Sequence, residues 1–411
     1  MALSGTKSPW RPVLLDAVAK RGSGHTPDKK RPEYWNGRIK WLSLKDSDQL
    51  DNLYVVDTAE RITPAGVANS SAVEHPAGTV VLSRDAGVGK SAITRDVMAV
   101  SQHFMAWQCG PALDNHFLYY WLQYRKPEFE RIAIGNTIKT IGLPYFKNLE
   151  IPLPPFAEQR AIATALSDVD ALLGALDQLI AKKRDIKEVT SQQLLTGETR
   201  LPGFSGKWRE GRMADVIEAL EAGVSVNSVE GDGAFGHEKC ILKTSCVLNG
   251  RFIEHECKKI SARDIARARL NPRGNTLLIS RMNTPDLVGQ CGYVDSDYPN
   301  LFVPDRLWMT RFCQNSDISV RWLSYLLSTP TFKRRIGAAA TGTSGSMKNL
   351  SQHGFLALSV QFPRAAEQTA IANVLSDMDA ELTAIEQRRD KTRLLKQGMM
   401  QELLTGRTRL V

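Results

Sequence analysis

The chain has no run of about 18 apolar residues, so nothing in it reads as a membrane span. Its opening residues, MALSGTKSPW, hold no apolar core segment, and no secretory signal is expected there. Cysteine is sparse: six thiols at positions 109, 240, 246, 257, 291 and 313, with no CxxC pair and no framework spacing. That excludes a disulfide scaffold and points to reduced thiols in a cytoplasmic protein. His237, Cys240, Cys246, His255 and Cys257 fall close together, but their spacings fit no common zinc pattern. Buried or incidental thiols are the plainer reading, and metal binding there stays open. Catalytic motifs are also missing. Leu153 precedes Pro154-Pro155-Phe156 where an amino-methyltransferase would carry Asn or Asp. No glycine-rich cofactor loop opens a helix, and no GxSxG or HExxH occurs. The Pro-Asp pairs at 27–28, 285–286 and 304–305 are not followed by the acidic-x-Lys set of a nuclease. The chain is expected to carry no catalysis, cofactor or metal of its own.

What it does contain is written twice. EQRAIATALSDVDALLGALDQLIAKKRDIKEVTSQQLLTGETRL, from Glu158, recurs from Glu367 as EQTAIANVLSDMDAELTAIEQRRDKTRLLKQGMMQELLTGRTRL. The offset is 209 without a gap, and 24 of 44 positions are identical, far beyond chance. Both copies have helical period. Ile162, Leu166, Val169, Leu173, Leu176 and Ile180 step by fours and threes, as do Ile371, Leu375, Met378, Leu382 and Ile385 before Arg389 breaks the row. Prolines precede each start, Glu158 and Glu367 sit where the helix dipole favours an anion, and Gly197 and Gly406 are natural stops. Each helix presents one narrow apolar seam. The seams predict an antiparallel coiled-coil pair; the alternative is that each helix packs on its own globular domain.

Weaker matches precede each helix: Trp10, Leu15 and Val18 with Trp208, Met213 and Val216; TVVLSR with TLLISR; TIKTI with SMKNL; NLEIPLP with ALSVQFP. The plan is therefore a domain over 1–154, a helix over 155–201, a domain over 202–362 and a helix over 363–411. It is circular in pattern and predicts pseudo-two-fold symmetry. Each domain reads as mixed α and β (α+β), with strands at 39–44, 79–83, 239–244 and 276–280, and helices at 114–124 and 318–328.

Net charge is +9, and the excess lies in the domains: +4 over residues 1–156 and +5 over 202–362. A basic balance of this kind suits a polyanion. In the first domain the stretch from Gly24 to Asp46 interleaves bases (Lys29, Lys30, Arg31, Arg38, Lys40, Lys45) with Tyr34, Trp35 and Trp41. The bases suit phosphate contact or a solvated face; the tryptophans read as core before DNA contact. The second domain lacks that stretch. It offers Arg263, Arg267 and Arg269, expected near one another on a helix, and Lys333, Arg334 and Arg335.

SRDAGVGKSAI, from Ser83, imitates a nucleotide phosphate loop through Gly89-Lys90-Ser91, but Arg84 stands where the first glycine belongs. The second copy keeps strand, Ser280-Arg281 and Val288-Gly289 and loses the Lys-Ser. The shared frame predicts a hairpin, with Arg84 and Arg281 touching DNA phosphate or pairing inside the domain. Lys90, and Lys139 and Lys348 in TIKTI and SMKNL, are further DNA-facing candidates.

The paired P-x-x-x-EQ-x-AIA…LSD-x-D…LLTG-x-TRL segments resemble the conserved regions of the specificity subunit of type I DNA restriction–modification systems. The stretch GHTPDKKRPEYWNGRIKWLSLKD is similar to the start of one class of target-recognition domain. The resemblance covers essentially the whole chain. It implies two target-recognition domains, each reading half of a bipartite site in double-stranded DNA, and helices that set the spacer. It further implies docking of modification subunits, two in number, and of a restriction subunit. S-adenosylmethionine, ATP and Mg are implied in those partners only. A variant serving one fused restriction–methylation polypeptide, and an NTPase using Gly89-Lys90-Ser91, are the alternatives. The second domain lacks the GxTPxxxxxxYWxG opening, so only the shared frame carries over to it.

Overall fold

The structure, a computed structural model, describes residues 10–136, 138–229, 238–342 and 347–410. Two long helices dominate it, Phe156–Thr196 and Ala365–Leu403. The compact units do not follow the order domain, helix, domain, helix. One unit is Met1–Gln178 with Glu386–Val411, the other Leu179–Ile385, so each holds half of each long helix.

In the first unit, Arg11–Leu14 pairs antiparallel with Glu150–Leu153, bringing the two ends of the domain together. One sheet has the order Ala19–Ser23, Phe104–Cys109, Val80–Ser83, Ser91–Thr94, Tyr54–Val55. Val80–Ser83 and Ser91–Thr94 are buried at every residue, and the first reads accordingly as an apolar run. The second sheet is Glu60–Ile62, Trp35–Leu42, Met98–Val100, Glu74–His75, with Trp35–Leu42 parallel to Met98–Val100. The helix Asn115–Ile132 begins where the Asp114 carboxylate accepts the amides of His116 and Phe117, at 2.9 and 3.0 Å. Its run from Phe117 to Leu122 is buried in the core beside Val80, Leu82 and Trp107.

The second unit repeats this plan. Arg209–Arg212 pairs with Ser359–Phe362. Ile217–Ala222, Leu307–Phe312, Thr276–Ser280, Cys291–Val294 and Gly250–Phe252 follow in the same order, with Val247–Leu248 added at the edge. The smaller sheet again pairs one strand in parallel, Cys240–Leu242 with Leu301–Phe302. In place of Asn115–Ile132 the second domain has two helices, Val320–Leu327 and Pro330–Ala339. Thr329 precedes Pro330, which disfavours helical backbone at that junction, and the Thr329 hydroxyl starts the new helix by accepting the Phe332 amide.

Two expectations are corrected. Residues 263–269 are not a helix: only Ile265–Arg267 forms a 3₁₀ turn. The Asp264 carboxylate is drawn to the Asn227 amide and to Arg267, and Leu270 takes a left-handed φ of 72° two residues before Pro272. The seams, too, are not purely interhelical. Ile162 and Leu166 lie in the core of the first domain, and Ile371 and Leu375 in that of the second. Val169, Leu173, Met378 and Ile385 are half-buried, while Leu176, Ile180 and Leu382 are buried. Within each unit the helix halves run antiparallel. Lys396 meets Asp170 at 2.6 Å and Arg389 meets Asp177 at 3.6 Å in one; Lys187 meets Asp379 at 2.6 Å and Lys183 meets Glu381 at 2.7 Å in the other. Among the described residues no helix is long and apolar enough to cross a membrane.

Candidate nucleic-acid interface

The repeated residues are what fix each domain to the helices. Gly197 follows the first long helix directly and Gly406 lies in the turn after the second, at φ 74° and 73°, and each lies against an indole, Trp208 or Trp10, so closely that an added Cβ would stand 3.1–3.2 Å from ring carbon. Three residues on, Arg200 binds both oxygens of Glu367 at 2.5 and 2.6 Å, and Arg409 binds both oxygens of Glu158 at 2.6 and 2.5 Å. Each guanidinium also covers its tryptophan, 5.6 Å from the Trp208 centroid and 5.3 Å from that of Trp10. The Arg409 hydrogen bond holds the Glu158 carboxyl below its ordinary range, against the opposing effect of burial.

The glutamine beside each glutamate is buried and fully used. Gln159 accepts the Asp114 amide at 2.8 Å and donates to the carbonyls of Ala112 and Pro154, both at 2.9 Å. Gln368 accepts the Ser319 amide at 2.8 Å and donates to Pro363 at 2.9 Å and Asp317 at 3.4 Å. Each amide therefore staples the start of a long helix to the start of its domain's own helix. About three turns further along the long helix, the Tyr120 hydroxyl donates to Asp170 at 2.9 Å and Lys396 closes on that carboxylate from the other long helix. Tyr325, Asp379 and Lys187 repeat the triad, with the Tyr325 bond at 2.8 Å. Burial pushes both phenols up, so each stays a proton donor. The sequence reading gave no role to Gln159, Asp170, Lys187 and Arg200, although identity at the 209 offset marks each of them.

The basic candidates fall into two groups. Lys40 is occupied, at 2.6 Å from Asp96 and 2.5 Å from the Val56 carbonyl. Lys45 pairs with Glu60 at 2.8 Å, Arg31 with Glu33 at 3.4 Å and Arg267 with Asp264 at 3.0 Å. Lys333 donates to Asn249, Arg334 to the Pro330 carbonyl and Arg335 to the Ser359 carbonyl. The side chains of Lys29, Lys30, Arg38, Lys139, Arg263, Arg269 and Lys348 have no ion-pair partner among the described residues. Lys29 lines a cleft of about 560 Å³ with Trp35, Asn36 and Arg61. Trp41 is 2% exposed and its indole N–H donates to the His25 carbonyl, so it is core; Trp35, half-buried, meets it edge-on at 5.1 Å.

The loop from Ser83 is a hairpin. Val80–Ser83 and Ser91–Thr94 pair antiparallel, and no helix follows Ser91. Ser83 N–H donates to Lys90 O at 2.8 Å and Gly89 N–H to Ser83 O at 3.0 Å; Ser280 with Gln290, and Gly289 with Ser280, do the same at 2.8 and 2.7 Å. The phosphate-loop architecture is thereby excluded for Gly89-Lys90-Ser91. Arg84 and Arg281 hold one backbone station, their carbonyls accepting the Ile141 and Leu350 amides at 3.0 and 2.8 Å. Their heads diverge: Arg84 stands 3.7 Å from Asp85, while Arg281 covers the Trp308 ring at 5.8 Å.

Cys240 and Cys246 are buried in the second domain, and burial pushes the Cys257 thiol up to about 11. His237 lies outside the described residues. Among those described, no group of three or more His, Cys, Asp or Glu side chains is placed to hold a metal ion.

Residues 7–183 match the type I restriction modification DNA specificity domain. The chain is 29% identical over 166 residues to the MjaIX specificity subunit of Methanocaldococcus jannaschii, covering 40% of this chain and 38% of that one. It is 24% identical over 328 residues to the MjaVIII specificity subunit of the same organism, covering 74% and 72%. The fold matches the crystal structure of a type I restriction–modification S subunit from M. genitalium, with a TM-score of 0.59, 16% identity and 98% coverage of both chains.

Proposed function

We propose that this chain, a relative of the type I restriction–modification specificity subunits, is the DNA-reading subunit of such a complex. Each globular domain reads one half of a bipartite site, and the long helices set the unspecified spacer between the halves. Modification subunits dock on the helical regions and carry the methyl transfer; a restriction subunit, where present, supplies ATP-driven cleavage. The observation that supports this most is the repeated framework. The same glutamate, glutamine and Tyr-Asp-Lys contacts fasten two domains of like topology whose surface bases differ. Lys29, Lys30, Arg38 and Lys139 in the first domain, and Arg263, Arg269 and Lys348 in the second, are the side chains free to meet DNA, by phosphate or base-edge contact.

Genome-wide mapping of methyladenine in the host, with and without this gene, tests the reading. The expected result is loss of one asymmetric motif made of two short defined halves around a fixed gap. Deletion that removes no motif, or only an uninterrupted palindrome, overturns it.

A further inference from the structure

The glycine turn that fails as a nucleotide loop still builds an anion seat. It lies in a cleft of about 420 Å³ between the turn and the helix Asn115–Ile132, lined by Lys90, Lys126 and Lys139. Gly89 has a φ of 86°, and a Cβ there would stand 2.9 Å from Lys126 Cγ, so the bare glycine lets the helix bring Lys126 against the turn. Ala86 and Gly87 are also left-handed, at φ 44° and 102°. The amides of Gly87 and Val88 donate to no acceptor among the described residues. Free backbone amides in a turn that holds left-handed residues, beside ammonium groups, are the chemistry of an anion cradle.

The charges facing the cleft can be counted. Lys90 spends one donor on the Ser47 carbonyl at 3.0 Å, and Lys126 spends one on Asp51. An ammonium has three donors, so both keep some for a ligand. Lys139 is unpaired, and Glu130 is the one carboxylate on the lining. Ile138, the apolar residue beside Lys139 on the lining, is 59% exposed. No aromatic ring lines the cleft to stack a base, so the geometry favours a phosphate held by its oxygens alone.

We infer that this cleft seats a backbone phosphate of the DNA bound by the first domain, as a positioning contact that carries no base information. The inference rests on the DNA-reading function proposed above. It is particular to the first domain. At the same hairpin in the second, Ile336 replaces Lys126 beside Gly289, and Lys90 becomes Gln290, buried and accepting the Asn249 amide at 2.9 Å.

The test titrates the full-length chain against a duplex bearing the motif identified by methylome mapping, and against a scrambled duplex, over a salt series. Lys90→Ala/Lys139→Ala is expected to weaken both duplexes by the same factor and to lower the slope of log affinity on log salt by about one. Glu130→Gln, which removes the opposing carboxylate, is expected to tighten both several-fold, a gain that misfolding cannot mimic. An unchanged slope in the double variant with unchanged affinity in Glu130→Gln overturns the inference and leaves the DNA-reading function standing. A loss confined to the cognate duplex makes the cleft a base reader and also overturns it. Competition by ATP or inorganic phosphate at concentrations below those of the duplex assigns the seat to a free anion instead. Wild-type protein that binds neither duplex overturns the function itself.

Discussion

In the unit Leu179–Ile385, the arginine that closes on Glu367 comes from a linker that continues within eight residues to Trp208, the ring it covers. In the unit of residues 1–178 and 386–411, Arg409 and Trp10 come from segments far apart in sequence and meet at Glu158. The local contacts match pair for pair and the connectivity does not. One arginine is tied to its tryptophan by a short stretch of chain; the other meets its tryptophan through tertiary contacts, among them the ion pair, the pairing of Arg11–Leu14 with Glu150–Leu153 and the packing of Leu403 and Leu404. Loop-closure entropy therefore weighs on the two unequally.

Breaking the ion pairs should expose that difference most strongly. Arg409→Ala leaves a buried carboxylate unpaired and is expected to lower the first unit's melting midpoint by roughly 10 °C. Arg200→Ala should lower the second unit's midpoint by less, and equal falls in calorimetry would remove tethering as the cause. The Glu158 carboxyl, depressed in the folded state, contributes its stability in full above its ordinary pKa of 4.5. That contribution is lost as pH falls through the lower folded value. Acid unfolding of the first unit should flatten in Arg409→Ala, which has no such linkage.

The glutamine staples come next. Gln159→Leu strands an amide and two carbonyls in a buried site and is expected to cost about 2–3 kcal/mol by urea denaturation. Gln368→Leu should cost less, because its bond to Asp317 is long at 3.4 Å. A cost below about 1 kcal/mol for both would mean that packing, rather than these bonds, fixes the domains.

The smallest effects belong to the triads and would sharpen the comparison rather than break it. Tyr120→Phe should cost about 1–2 kcal/mol. Tyr325→Phe should cost slightly less, since the Ser376 hydroxyl beside Tyr325 also accepts from Arg321 at 2.7 Å, a competitor that Ser167, 3.2 Å from Tyr120, does not have among the described residues. Lys396→Ala and Lys187→Ala, partly exposed pairs, should each cost about 0.5–1 kcal/mol. Stability measurements on the four variants check the order; lysine losses larger than the tyrosine losses would reverse it.

Much of the architecture was legible before any coordinate. A gapless repeat with helical period, bounded by proline and glycine, gave both long helices, because periodicity and capping are local properties of a sequence. The hairpin from Ser83 was legible for a different reason: two unlike copies kept only what the backbone needs. The helix expected over Arg263–Arg269 failed because three bases at suitable spacing say nothing about φ at Leu270 or about the pull of Asp264 on Asn227. The seam was read as one continuous interhelical row, yet its first turns lie in the domain cores, since an apolar stripe does not declare what covers it.

The sequence by itself determined that the molecule is doubled, basic in its domains, free of recognisable catalytic motifs and built on two capped helices, because repetition, charge and capping are written residue by residue. The tertiary structure alone decided which of its cations are left without an ion pair. Lys40 and Lys45 belong to the same basic stretch as Lys29 and Lys30, yet Asp96 and Glu60 neutralise the first two and leave the others open. Coulomb attraction falls with distance through space, and the distance from Lys40 to Asp96 is set by a parallel pairing of strands that no local pattern in either segment records.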